Sequence, residues 1–229
     1  MLSLITGVAK KGQVGEAVAA ALAARGDTVL LVSRAESDAR ARASEIPRAT
    51  GYACDLADAA AVDQLARRVR DAHGEKLDAL IHVAGGFGIS GSIATADPAT
   101  MRRQLEINFV TAYLVTRAFF GMVASAHGSI VFFASEAVLE GSRTANTSAY
   151  AAAKHAVVGL MRSVADEGRA SGIRANALAP AAIRTATNEE EMGRGREQHY
   201  VEREDVASTV AFLTSPASRA ITGQVIRLR

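Results

Sequence analysis

Tyr150 and Lys154 stand four residues apart in the run Tyr150-Ala151-Ala152-Ala153-Lys154. On a helix that spacing puts a phenol and an ammonium on one face, about one turn apart. A nearby ammonium favours the phenolate and lowers the tyrosine pKa. A phenol tuned this way can act as a general acid or base near neutral pH. The three alanines between them leave room for a ligand. Such pairs also occur on helices that do no chemistry, so the surroundings matter. This one follows a strand candidate, Ser129-Ile130-Val131-Phe132-Phe133, that runs into Ala134-Ser135.

A second candidate lies at the start of the chain, in Thr6-Gly7-Val8-Ala9-Lys10-Lys11-Gly12-Gln13-Val14-Gly15. Glycines let a backbone turn sharply and approach a pyrophosphate, and the helix that follows offers free N–H groups and a positive dipole end. Lys10 and Lys11 add positive charge. A plain tight turn would look similar, but the placement after a first strand favours a dinucleotide. About 20 residues past the last glycine, an acid would mark NAD by binding its ribose hydroxyls. Ser33-Arg34 stands there instead, and Arg34 can pair with a 2′-phosphate, so NADP(H) is expected over NAD(H).

These residues need elements to hold them. The apolar run 2–6 precedes the glycine turn, and Val14, Ala17, Val18, Ala21 and Leu22 then recur at helical spacing up to Gly26. Thr28-Val29-Leu30-Leu31-Val32 is apolar enough for a strand buried on both faces. The alternation continues with helices near 36–44, 58–73, 99–126, 148–170 and 203–214. Strands are expected at 50–54, 78–83, 129–133, 174–178, where Pro180 halts the run, and 224–228. This predicts an α/β fold: one doubly wound parallel sheet of about seven strands, helices on both faces, in a single domain over 1–229. The polar stretch 185–203 reads as a solvated loop or as a flap over a site.

Composition narrows the classes. Of 229 residues, 49% are hydrophobic, 22% charged and 5% aromatic, which excludes disordered and fibrous chains. With 26 Lys+Arg against 24 Asp+Glu, net charge argues for no nucleic-acid partner. Cys54 is the single cysteine, so no intrachain disulfide is expected. No uninterrupted apolar run reaches the roughly 18 residues of a membrane span, and the N-terminus lacks a basic leader. A cytoplasmic protein without metal, membrane or nucleic-acid partners is expected.

Taken together, the motifs resemble the short-chain dehydrogenase/reductase family over essentially the whole chain. They fall in the family's order: the glycine turn, Cys54-Asp55-Leu56, His82-Val83-Ala84-Gly85, Asn108, Ser135, Tyr150 with Lys154, then Pro180, Ile183 and Thr185. The resemblance implies a Rossmann-like fold and an NAD(P)-dependent oxidoreductase acting on a carbonyl or secondary alcohol. It implies Tyr150 as general acid or base, with Lys154 holding the nicotinamide ribose and tuning the phenol. It implies Ser135 as the hydroxyl that polarises the carbonyl, and Asn108 as the anchor of a water in the proton relay. Gly7, Gly12, Val14 and Gly15 become phosphate-turn residues, with Ser33 and Arg34 at the adenine ribose. Asp55 and Leu56 would meet the adenine, Ala84 and Gly85 would wall the adenosine ribose, and Pro180, Ile183 and Thr185 would face the carboxamide.

The pattern departs from the family in places. The glycine turn is two residues longer than usual, with Gln13 in place of the middle glycine. His82-Val83 replaces an Asn-Asn pair, which suits His82 to a structural hydrogen bond. Ala181 replaces a glycine after Pro180. Phe87, Ile89, Glu136, Val138, Leu139 and Arg143 are the expected substrate-pocket residues. A 3-oxoacyl-carrier-protein reductase is the nearest alternative activity, although 123–127 lacks the basic residue an acidic carrier calls for. An inactive dinucleotide-binding sensor is the alternative of another class, and the intact Asn108, Ser135, Tyr150 and Lys154 set weighs against it. The family also implies a homo-oligomer.

Overall fold

The strand residues alternate between two destinations. Leu4, Leu30, Leu80, Ile130 and Phe132 enter one apolar cluster, while Ile5, Leu31, Ile81, Val131 and Phe133 enter the other. Side chains alternate across a strand, so a run apolar at both parities must be covered on both faces. The computed structural model describes residues 1–192 and 200–229 and shows this arrangement. Strands β1 (Leu2–Thr6), β2 (Thr28–Ser33), β3 (Ala49–Ala53), β4 (Ala79–His82), β5 (Ser129–Phe133), β6 (Arg174–Pro180) and β9 (Val225–Leu228) make one sheet. Its order is β3-β2-β1-β4-β5-β6-β9, with every neighbouring pair parallel.

Helices α3 (Ala59–His73), α5 (Thr111–Ser125) and α6 (Ser148–Glu167) cover one face through Val62, Leu65, Val115, Phe119, Val157 and Met161. Helices α1 (Val14–Arg25) and α8 (Arg203–Leu213) cover the other through Val18, Leu22, Val206 and Val210. Helix α2 (Glu36–Glu45) adds Ala43 to that second face. Strand order reverses between β1 and β4, so the crevice beyond the carboxyl ends of those strands is where such a sheet takes a ligand. Thr6 and His82 are register partners at that point.

The structure differs from the expected elements in three places. The helical region near 99–126 is interrupted: α4 (Pro98–Leu105) and α5 flank a π turn, Glu106–Val110. Strand β6 includes Pro180, opposite Leu228, and the ladder continues because the Ala181 N–H donates to the Leu228 carbonyl at 3.1 Å. The polar stretch 185–203 opens as helix α7 (Ala186–Met192), flanked by a small parallel pair of β7 (Ile183–Arg184) with β8 (Val201–Glu202). Its residues 193–199 lie outside the described residues. Among the described residues, Pro98–Ser125 is long and apolar enough to cross a membrane. Phe119, Val115 and Met122 bury its inner face in the core, which is the packing of a core helix.

Candidate active site

Tyr150 sits in the first turn of α6, and Lys154 lies one turn further on. The Lys154 side chain is buried, and its ammonium donates to the Phe133 carbonyl at the end of β5, at 2.8 Å. Burial pulls the Lys154 pKa down to about 8. Its nitrogen stands 5.7 Å from the centre of the Tyr150 ring. Burial also raises the Tyr150 pKa; a hydrogen bond with the Ser135 hydroxyl acts the other way, and the Glu136 carboxylate adds to the rise. The expected lowering of the phenol by Lys154 is therefore not the dominant effect. Desolvation is the largest influence on the phenol, and the ammonium is spent on the Phe133 carbonyl. Ser135 follows β5, and its hydroxyl accepts from the Ala137 N–H at 3.3 Å, capping a short 3₁₀ turn, Glu136–Val138.

Asn108 reaches the same place from another element. It lies in the π turn, and its side-chain amide clamps the Gly86 backbone from both sides. Oδ1 accepts from Gly86 N–H at 3.1 Å, and Nδ2 donates to Gly86 O at 3.0 Å. Nδ2 also donates to the Gln104 carbonyl at 3.1 Å and to Gln104 Oε1 at 3.0 Å. Competition for that i−4 carbonyl accompanies the local switch to π geometry, a distortion frequent at functional sites. A Cβ on Gly85 would fall 2.6 Å from Asn108 Oδ1 and 3.5 Å from Lys154 Nζ. Gly85 thus marks the point where Asn108 and Lys154 converge.

The dinucleotide edge lies across the crevice. Gly7 has φ +77°, and a Cβ there would sit 2.6 Å from Ala84 N, so the turn must stay bare to pass β4. The Ala84 N–H donates to Thr6 Oγ1 at 3.2 Å. Helix α1 starts at Val14 with no side-chain cap from Gln13, which leaves first-turn N–H groups for an anion. A bare, uncapped turn of this kind offers the free N–H groups a pyrophosphate needs. Gly12 is engaged within the protein: its N–H donates to the Glu16 carboxylate at 2.6 Å, and its carbonyl accepts from Ala186 N–H at 3.1 Å. Gln13 Nε2 donates to Thr187 Oγ1 at 3.1 Å. The lengthened turn is thereby tied to α7. Lys10, Lys11 and Arg34 are exposed near the ends of β1 and β2, while Ser33 is buried and donates to Ala35 O at 2.7 Å.

The remaining sequence candidates are spread around the same end of the sheet. Asp55 is exposed after β3 and accepts from Ala57 N–H at 3.1 Å; Leu56 beside it is buried. Pro180 ends β6, Ile183 lies in β7, and the buried Thr185 accepts from Asn188 N–H at 3.2 Å. Of the pocket candidates, Phe87 sets its ring edge-on to Tyr150 at 5.1 Å. Val138 packs against the core, and Ile89 and Arg143 are exposed. His82 is buried, hydrogen-bonded to Thr116 Oγ1 at 2.9 Å and stacked on Phe132. Sequence reasoning missed Gln104, Gly86 and Phe133 O. Gln104 was within reach, since it stands four residues before Asn108 on a helix.

The comparisons with known proteins agree with this geometry. A family model described as enoyl-(acyl carrier protein) reductase matches residues 7–228. The chain is 31% identical to the BbsD subunit of a hydroxy(phenyl)methylsuccinyl-CoA dehydrogenase from Thauera aromatica, over 98% of this chain and 93% of that one. It is 33% identical to a 3-oxoacyl-acyl-carrier-protein reductase from Synechocystis, over 99% and 94%. Among solved structures, an actinorhodin polyketide ketoreductase variant with NADPH superposes with a TM-score of 0.88 at 26% identity, over 99% and 95%. With a Rossmann-like parallel sheet, a bare glycine turn and a Ser-Tyr-Lys cluster at its carboxyl edge, the chain belongs to the short-chain dehydrogenase/reductase family of oxidoreductases.

Proposed function

We propose that this chain is an NADP(H)-dependent carbonyl reductase or secondary-alcohol dehydrogenase with Tyr150 as its general acid and base. The observation that carries the reading is the convergence of Ser135, Tyr150, Lys154 and Asn108 at the carboxyl end of β5, beside Gly85. A nicotinamide dinucleotide held at this edge supplies or accepts the hydride. During reduction, the Tyr150 hydroxyl gives its proton to the carbonyl oxygen, and during oxidation the phenolate takes one back. Its raised pKa suits the acid role, because the phenol stays protonated at neutral pH. Ser135 and Tyr150 place two hydroxyls where negative charge grows on that oxygen. Lys154 would hold the nicotinamide ribose, Asn108 fixes the Gly86 backbone, and Gly85 beside it would wall the adenosine ribose.

Gly7, Val14, Gly15, Asp55, Leu56, Ala84, Pro180, Ile183 and Thr185 would complete the cofactor site. The preference for NADP(H) rests on Arg34, Lys10 and Lys11 standing exposed at the adenosine end, with no acid at Ser33-Arg34 where β2 ends. The structural neighbour solved with NADPH adds support. The relatives named for CoA and carrier-protein substrates keep a 3-oxoacyl thioester among the candidate carbonyls. A cytoplasmic homo-oligomer, with 185–203 as the substrate-side flap, completes the proposal.

Nicotinamide fluorescence titrations with NADPH and NADH test the cofactor, and a carbonyl panel with wild type and Tyr150→Phe tests the chemistry. Tighter NADPH binding and turnover that Tyr150→Phe abolishes are the expected results. Preference for NADH would remove the phosphate role of Arg34. Cofactor binding without turnover on any carbonyl would favour the inactive sensor instead.

A further inference from the structure

Two connections meet near Tyr150, and one backbone carbonyl joins them. Asn146, in the β5–α6 connection, holds φ +62°, in the left-handed region. Its carbonyl accepts from Ser90 N–H at 2.8 Å, Gly91 N–H at 3.1 Å and the Ser90 hydroxyl at 3.2 Å, all in the β4–α4 connection. The Ser90 and Ser148 hydroxyls also meet, at 3.2 Å, two residues before Tyr150. A cleft of about 300 Å³ between the two connections is lined by Gly91, Ile93, Thr144 and Asn146 among others. Phe87 lies three residues before Ser90, on the same connection, with its ring 5.1 Å from that of Tyr150 at 72°. Phe87 is 61% exposed, so burial in the core does not hold it there.

We propose that Asn146 is a positioning residue for the reaction: its left-handed backbone clasps the two connections and so holds Phe87 against Tyr150, shielding the phenol from water. The proposal rests on Tyr150 acting as the general acid. Asparagine and glycine reach a positive φ at low cost, whereas a β-branched residue there is a true outlier. The groups facing Tyr150 are Ser135 and Glu136 from the segment after β5, Lys154 from its own helix, and Phe87. Phe87 carries no charge, so releasing it adds water without moving an ion. Burial is what raises the phenol's pKa, so added water lowers it. Reduction needs the protonated phenol, so its rate would then begin to fall at a lower pH.

The test uses the full chain with Asn146→Val, Asn146→Gly and Phe87→Ala, and Tyr150→Phe as control. Two quantities are read: amide hydrogen exchange at Ser90 and Gly91, and the pH profile of kcat for carbonyl reduction with saturating nicotinamide cofactor. Asn146→Val should speed exchange at both amides and lower kcat by ~10-fold. It should also move the alkaline fall of activity down by ~0.5 pH unit or more. Asn146→Gly should stay within ~2-fold of wild type. Phe87→Ala should reproduce the pH shift while leaving Ser90 and Gly91 protected. A Phe87→Ala profile that matches wild type overturns the proposal, even where Asn146→Val fails to fold. So does Asn146→Gly behaving like Asn146→Val, or Asn146→Val behaving like wild type. If Tyr150→Phe keeps full activity, the general-acid reading fails and the clasp falls with it. If Tyr150→Phe is dead and Phe87→Ala unchanged, the clasp alone is wrong.

Discussion

The two arms of the crevice are held in different ways. On the catalytic arm, functional side chains are tied to backbone: Lys154 to Phe133 O, and Asn108 to both sides of Gly86. On the phosphate arm, side chains tie the glycine turn to its own helix and to α7. Glu16 holds Gly12 N–H, and Gln13 reaches Thr187. The cations of this arm, Lys10, Lys11 and Arg34, stay exposed. The difference suits the work proposed for each. Proton transfer needs donors fixed to a fraction of an ångström, whereas recognition of a phosphate by charge tolerates mobile, hydrated cations.

The largest break in this comparison is Tyr150→Phe. It should cost ~10²–10⁴-fold in turnover with nicotinamide binding retained, as steady-state rates and fluorescence titration will show. Next comes Gly7→Ala, which combines a positive φ with a contact against Ala84 N at 2.6 Å. A loss of ~2–4 kcal/mol in denaturant stability is expected. Gly12→Ala has φ +74° but its nearest neighbours are the Ala186 side chain, at 3.1 Å, and the Arg203 guanidinium, at 3.5 Å. It should cost ~1 kcal/mol. Equal losses at the two glycines would show that the lengthened turn is as tightly packed as the strand end.

Arg34→Ala should weaken NADPH by ~10-fold and leave NADH unchanged, measured by titration. An equal effect on both would place Arg34 away from the 2′-phosphate. The pH dependence of stability tests the catalytic arm separately. Burial lowers the His82 pKa from 6.5 to about 3. The unfolded chain therefore binds a proton that the folded chain refuses, and stability falls as pH drops from 6.5 toward 3. Lys154 is lowered from 10.5 to about 8, so stability rises between pH 8 and 10.5 as the unfolded chain loses the same proton. Urea midpoints against pH should show the acid slope flattened by His82→Gln and the alkaline slope flattened by Lys154→Met.

Much of the fold was legible because each strand and helix carries its own periodicity. The run at β5 matches its strand residue for residue, and Gly26 closes α1 in the left-handed conformation that a glycine stop signals. The π turn was not legible, because nothing local in Glu106–Val110 reports that Asn108 will reach for Gly86. The Tyr150–Lys154 pair was legible as a spacing, but its electrostatics were not. Spacing predicts a phenol lowered by its neighbour, while burial raises the phenol and lowers the lysine. The lengthened glycine turn was visible as a length, and its ties to Glu16 and Thr187 were not.

What the sequence by itself determined was the order of strands and helices, the bare turn at Gly7, and one helix face carrying Tyr150 and Lys154. Those are local properties of residue type and period. What only the tertiary structure decided was which carbonyl Lys154 meets, where Asn108's amide finds Gly86, and how Asn146 joins two distant connections. Each depends on groups far apart along the chain, and only the packing of helices on the sheet brings them within a hydrogen bond of one another.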